Sequence, residues 1–264
     1  MVGRVILSGA LAILPILLIL RYFRTRDVQP EARRVLRSTF WLGVLSIVPV
    51  ILIGVPVILL APRTASITLA ALYSSFVGAA IPEEALKLWV IRGYCARQTS
   101  FDEPMDGIVY GVTAALGFAA LENIIYVWGS GWTVALLRAF TSIPIHAATG
   151  AILGHAVARA QFGPAGRFTV WKGFLSAVAV HGLYNYGLIA MELYANRPVL
   201  PASYLGDQVY IFLLLLVFVV LIGSVVWTIR TTRRLRSQQL MSKLAQEAAA
   251  RPAASDEDSG RRTA

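Results

Sequence analysis

Residues 81 to 87 read Ile-Pro-Glu-Glu-Ala-Leu-Lys, placing two carboxylates and an ammonium in a stretch that is otherwise apolar: residues 66–80 carry no charge, and residues 88–91 are apolar again. Ionisable groups at membrane depth are costly, so they turn towards a protein or water interior and mark a working site with partners. On a helix Glu83 and Lys87 lie nearly over one another, with Glu84 about 100° round. Lys87 can therefore neutralise one carboxylate and leave the other for chemistry. Pro82, at a first helical turn or a kink, frees backbone groups beside the pair. A Glu–Lys pair that merely fixes helix packing is the plainer alternative, but packing does not require a second adjacent carboxylate.

The partners are sought further along the chain. Glu122 stands in Gly-Phe-Ala-Ala-Leu-Glu-Asn, residues 117–123. If the two segments form an antiparallel hairpin turning near residues 102–104, residue 84 is level with residue 121, and Glu122 faces Glu83 and Glu84. Three neighbouring carboxylates cannot all ionise cheaply, which favours a raised pKa or a bound cation, the condition for a general base or a metal site. His146 falls mid-span, about 18 Å from the outer end, at the depth of the glutamates. His155, nine residues on, points the opposite way and reads as a helix-end histidine. His181 and Asn185 are four apart on one face, suited to donating hydrogen bonds to an oxyanion, or to metal binding by His181 with Asn185 orienting it. A polar interhelical clamp is the alternative for this pair. Arg138 lies near a helix end, where it can snorkel, and is set aside.

These residues need elements to hold them, and the composition says which. The 264 residues are 57% hydrophobic and 14% charged, with a mean hydropathy of +0.66, far too apolar for a soluble domain. About 20 apolar residues cross a bilayer, and seven runs qualify: 5–20, 39–60, 66–91, 107–128, 134–158, 173–193 and 209–229. None alternates like a strand, so an all-α polytopic membrane protein is expected, its bundle enclosing the polar site. The net charge of +10 lies in loops, as the positive-inside rule expects, and calls for a lipid bilayer rather than nucleic acid. Six arginines between Arg21 and Arg37 put that loop in the cytoplasm, the N-terminus outside and the C-terminus inside. Arg4, Arg63, Arg138 and Arg197 then fall on the outer side. The transmembrane domain covers residues 1–229; residues 230–264 form a polar cytoplasmic tail, helical over 238–250, partly disordered and ending in the acidic run 256–258. Cys95 is a plain small side chain, and no intramolecular disulfide is possible.

The ordered series Glu-Glu-Ala-Leu-Lys, Phe-Ala-Ala-Leu-Glu-Asn, a mid-span histidine and His-Gly-Leu-Tyr-Asn resembles the PrsW family of bacterial intramembrane proteases across residues 66–193. It is also similar to the CAAX prenyl endopeptidases, except that Glu122 replaces the histidine of their second motif, which argues against a prenylated substrate. The resemblance implies hydrolysis of peptide bonds in membrane-anchored proteins such as an anti-sigma factor. It implies Glu83 or Glu84 as the base that activates water, Glu122 and His146 sharing the proton and holding the water, and His181 with Asn185 stabilising the oxyanion. The cofactor is either none or a divalent metal such as zinc: the N and O donors suit zinc, but no His-Glu-x-x-His pair is present. A proton- or cation-coupled transporter and a non-catalytic membrane scaffold are the alternative functions; the transporter predicts inverted repeats that this chain lacks.

Overall fold

A computed structural model describes residues 2–60, 66–164, 166, 168–196 and 204–250. Among these residues the chain is helical, with no strand. Five helical segments are long and apolar enough to cross a membrane: Arg33–Leu59, Pro104–Tyr126, Trp132–Phe162, Phe168–Ala195 and Gly206–Ala250. The other two runs singled out in the sequence are also helical. The first is α1 (Val2–Arg26), and the other passes through α4 (Ile67–Leu72), a π-helix (Tyr73–Ala80) and α5 (Ile81–Gly93). Arg63, Arg197 and the acidic run 256–258 lie outside the described residues.

The run at residues 39–60 begins earlier than its apolar pattern and bends. It consists of α2 (Arg33–Leu45) and α3 (Ile47–Leu59), joined at Ser46, whose hydroxyl donates to the Gly43 carbonyl at 2.7 Å. Such back-bonding by serine bends helices. The π-helix also has a local cause. Pro82 lacks an N–H and its ring clashes with the carbonyl four residues back, and the chain widens just before it: the Ile81 N–H bonds the Phe76 carbonyl, five residues back. Wide turns of this kind recur beside functional sites, and Glu83 follows immediately.

The centre of the bundle is α6 (Pro104–Phe140), flanked by α1, α2 and α7 (Ser142–Phe162), with α8 (Phe168–Ala195) and α9 (Tyr204–Ala250) completing it. Every residue from 105 to 120 is buried, as expected of a helix that is apolar all round. Lipid-facing surface lies elsewhere, on residues such as Leu52, Leu59, Leu60 and Trp89. The α6–α7 contact is a glycine zipper. A Cβ on Gly111 would lie 2.1 Å from the Gly150 carbonyl oxygen, and one on Gly154 would lie 1.7 Å from that of Gly107. The two Gly-x-x-x-Gly segments, 107–111 and 150–154, thus run antiparallel at backbone contact, a packing typical of membrane helices.

Helical hydrogen bonding runs through to Phe140 and is interrupted at Thr141, but the two apolar spans expected here are separate, Pro104–Tyr126 and Trp132–Phe162. The path is not straight. Arg138 touches Glu122, whereas sixteen residues of straight helix would separate them by about 24 Å; α6 therefore bends back between them. At the far end α9 runs unbroken from the last span into the tail, to Ala250. Cys95 is buried against the Thr39 hydroxyl, and burial pushes its thiol up to about 12, so it is inert at neutral pH.

Gly111→Val should be destabilising by about 3 kcal/mol or more through overpacking against backbone, read as a lower melting temperature in detergent. Gly223→Ala, where nothing lies within 4 Å of the added Cβ, should leave melting unchanged or slightly raised.

Candidate active site

Four elements converge on one buried polar cluster: α5 supplies Glu83, Glu84 and Lys87, α6 supplies Glu122 and Arg138, α7 supplies His146, and α8 supplies His181. Glu84 and Lys87 are fully buried, and Glu83, His146 and His181 are at most 6% exposed. Lys87 Nζ lies at the centre. It is 2.7 Å from Glu84 Oε1, 3.5 Å from Glu83 Oε2 and 2.9 Å from His146 Nδ1, and it stands 4.6 Å from the centre of the Phe118 ring. The Lys87–Phe118 approach has the register of the antiparallel hairpin expected from the sequence.

The hydrogen bonds fix the tautomers. An ammonium only donates, so His146 Nδ1 accepts and the ring proton lies on Nε2, which donates to Glu122 Oε2 at 2.8 Å. Glu84 Oε1 accepts from Lys87 and from His181 Nδ1 at 2.7 Å, and the Thr149 hydroxyl is shared between it at 3.3 Å and the His146 carbonyl at 3.2 Å. In the neutral ring His181 Nε2 is then an acceptor, and it faces Glu83 Oε2 across 3.8 Å. Glu83 Oε2 and Glu84 Oε2 are buried with no hydrogen-bond partner. The two imidazoles meet edge to face, with ring centroids 5.1 Å apart.

Glu122 stands one step out from the pair it was expected to face, joined to it through His146. Its own counter-ion is Arg138, at 2.8 Å. Arg138 also donates to Asn123 at 2.8 Å, and Asn123 in turn donates to the Ala12 carbonyl of α1 at 3.2 Å. The expectation that Arg138 snorkels is thus corrected: the bend in α6 turns it inward onto Glu122. Asn185, one turn beyond His181, is half-buried, and among the described residues no hydrogen bond ties it to the cluster. His155 lies away from the site, against Trp227. Sequence reasoning missed Thr149, Asn123 and Phe118. Of these Thr149 was legible, three residues after His146 and so on its face.

Three carboxylates face two permanent cations, Lys87 and Arg138, so one negative charge is left for a proton or a metal to balance. Glu83, Glu84, His146 and His181 each offer a ligand atom, all within 4.8 Å of one another. With two orphaned carboxylate oxygens among them, this N/O donor set fits a zinc-type ion in kind and spacing; His146 would join it only on releasing Lys87 or Glu122.

A membrane-embedded helical bundle that seals glutamates, histidines and a lysine around unpaired carboxylate oxygens belongs to the class of polytopic membrane hydrolases. The comparisons with known proteins specify it further. The family described as PrsW family intramembrane metalloprotease matches residues 31–229. The chain is 33% identical to Protease PrsW of Geobacillus kaustophilus over 176 residues, 66% of this chain and 76% of that protein. It is 32% identical to Protease PrsW of Bacillus subtilis over 191 residues, 71% and 84% of the two chains, and 30% identical to that of Oceanobacillus iheyensis over 188 residues, 69% and 81%. The chain belongs to the PrsW family and is an intramembrane protease. No solved structure matches it.

Removing Lys87 leaves Glu84 as an uncompensated buried charge. Lys87→Met should therefore cost about 3–5 kcal/mol of stability, and the Glu84→Gln/Lys87→Met double variant should recover a large part of it. Unfolding titrations of the three proteins in mixed micelles measure both effects.

Proposed function

We propose that the chain hydrolyses peptide bonds of membrane-anchored proteins, with Glu83 as general base and Glu84 as a fixed electrostatic anchor. The carrying observation is the asymmetry between the two glutamates. Glu84 Oε1 is held by Lys87, His181 and Thr149, whereas Glu83 Oε2 has no hydrogen bond and looks across 3.8 Å at His181 Nε2. Both facing atoms are acceptors, and the two protons of a single water can reach them. That water is oriented with its lone pair towards a scissile carbonyl, and Glu83 takes one proton as the C–O bond forms. Asn185, unencumbered and one turn away, donates its amide N–H to the developing oxyanion. Glu83 then returns the proton to the departing amine as the C–N bond breaks.

Glu122 and His146 are positioning residues. Glu122 fixes the His146 tautomer, His146 holds Lys87, and Lys87 holds Glu84. His181, with Nδ1–H committed to Glu84, orients water rather than donating to the oxyanion. A divalent ion bound here would be held by Glu83, Glu84, His181 and His146 and would supply Lewis-acid polarisation of the carbonyl and a more acidic water. The substrate is a protein with a membrane anchor, an anti-sigma factor being the kind that the resemblance implies. The N-terminus lies outside and the C-terminus in the cytoplasm, on the strength of the six arginines between Arg21 and Arg37 and those between Arg230 and Arg236 in α9.

The test is cleavage of a co-reconstituted panel of single-span membrane proteins. Glu83→Gln should lower turnover by at least about 10²-fold with melting unchanged, and Asn185→Ala by about 10²- to 10³-fold. Wild-type turnover by Glu83→Gln, with loss only in Glu84→Gln, would transfer the role of base to Glu84. Cleavage abolished by a chelator and restored by zinc would make the reaction metal-assisted; cleavage that persists would assign it to the glutamate alone.

A further inference from the structure

A second acidic cluster lies at the arginine-rich end of the bundle. Asp27 follows α1, Glu31 precedes α2, and Asp106 is in the first turn of α6. One oxygen of each lies within 4.8 Å of the others, and the three side chains are buried, with residue exposures of 6%, 7% and 1%. Among the described residues no lysine, arginine or histidine forms an ion pair with any of them. Arginines are nevertheless near: Arg21, Arg24, Arg33 and Arg37 line the adjoining cavity of about 780 Å³, which Asp27 also borders.

The hydrogen bonds hold each aspartate by one oxygen and leave the other bare. Asp27 Oδ1 accepts from the Gln29 amide at 3.0 Å and from Gln239 Nε2 at 2.9 Å, while its Oδ2 is buried without a partner. Asp106 Oδ2 accepts from the amides of Asp102 at 2.9 Å and Glu103 at 2.7 Å, while its Oδ1 is likewise bare. Glu31 Oε2 accepts from the Tyr110 hydroxyl, which is 2.6 Å from the Ser100 hydroxyl. Donors on one oxygen hold each carboxylate in place and leave the other oxygen open to a cation, which is how outer-shell groups orient metal-binding carboxylates. Burial pushes the Asp27 carboxyl above its ordinary range, a cost that a neighbouring cation would relieve.

We propose that Asp27, Glu31 and Asp106 form a second site, separate from the Glu/His cluster, that binds a hard divalent cation: calcium, magnesium or manganese. The all-oxygen donor set selects this class over zinc. The site is placed to fasten the cytoplasmic end of the fold. Gln239, on the extension of α9, donates to Asp27 and Glu103 and accepts from the Val28 amide. One ion would thus hold together the α1–α2 connection, the start of α6 just ahead of its glycine zipper, and the C-terminal helix.

The experiment uses the full chain in detergent, as wild type, Glu84→Gln and Asp106→Asn. Terbium alone is titrated with excitation in the aromatic band, where Tyr110 is the adjacent sensitiser, and melting is measured in chelator and in calcium, magnesium or manganese. In wild type and Glu84→Gln, saturable luminescence displaced by calcium is expected, with melting raised by about 5 °C at saturating cation. Asp106→Asn should lose both responses and should melt below wild type in saturating cation. Wild type without saturable luminescence and without cation-dependent melting overturns the proposal, whatever the variant does. So does a signal lost in Glu84→Gln and kept in Asp106→Asn, which would put the ion among the glutamates and histidines. Asp106→Asn more stable than wild type with and without cation would mean that protons or the nearby arginines balance the cluster.

Discussion

The structure turns on one buried ammonium. Lys87 is fully inaccessible and bonds both Glu84 and His146, so it joins α5 to α7 and sets the charge state of everything near it. Burying it alone would be prohibitive; burying it between acceptors is tolerable, provided every acceptor is held in place. Its neighbours reflect that demand. Glu84 is pinned by His181 and Thr149, His146 by Glu122, and Glu122 by Arg138. The cluster is an alternating chain of donors and acceptors, and Glu83, with an unpartnered oxygen, is where that chain is left open.

Such a chain tolerates little positional error, which explains how the bundle is built around it. The helices that carry Glu122 and His146 meet without side chains between them, through Gly107, Gly111, Gly150 and Gly154. Backbone contact removes rotamer freedom from the interface, so the register of α6 on α7 is set by glycine positions rather than by adaptable packing. On the other flank the π-helix ahead of Pro82 rotates Glu83 and Glu84 relative to residues 67–72, a local irregularity tolerated because neighbouring helices cover it.

Much of this was legible in the chain. Charges inside apolar runs are so costly that Glu83, Glu84, Lys87 and Glu122 stand out, and helical periodicity alone places Glu84 near the level of residue 121. The two Gly-x-x-x-Gly segments went unread in the sequence and emerged only from the contact between α6 and α7. The turn between residues 128 and 134 brings Arg138 back to the level of Glu122, but whether a long side chain near a helix end snorkels or folds inward onto a carboxylate is not written in the spacing. The cluster of Asp27, Glu31 and Asp106 was invisible: Asp106 is remote in sequence from the other two, each sits near a helix end where acidic residues are ordinary, and only the folded chain brings them together.

The sequence by itself determined the class, the element type and the residues able to do chemistry, because lipid forbids unsatisfied backbone and unpaired charge so strongly that composition and spacing leave few choices. The tertiary structure alone decided how those residues pair. Which glutamate is saturated and which is free, which imidazole nitrogen carries the proton, and whether Glu122 meets the pair directly or through His146 depend on distances of 2.7–3.8 Å between side chains on different helices. Helical periodicity fixes direction and depth to within a turn; hydrogen bonding is decided on a scale about ten times finer.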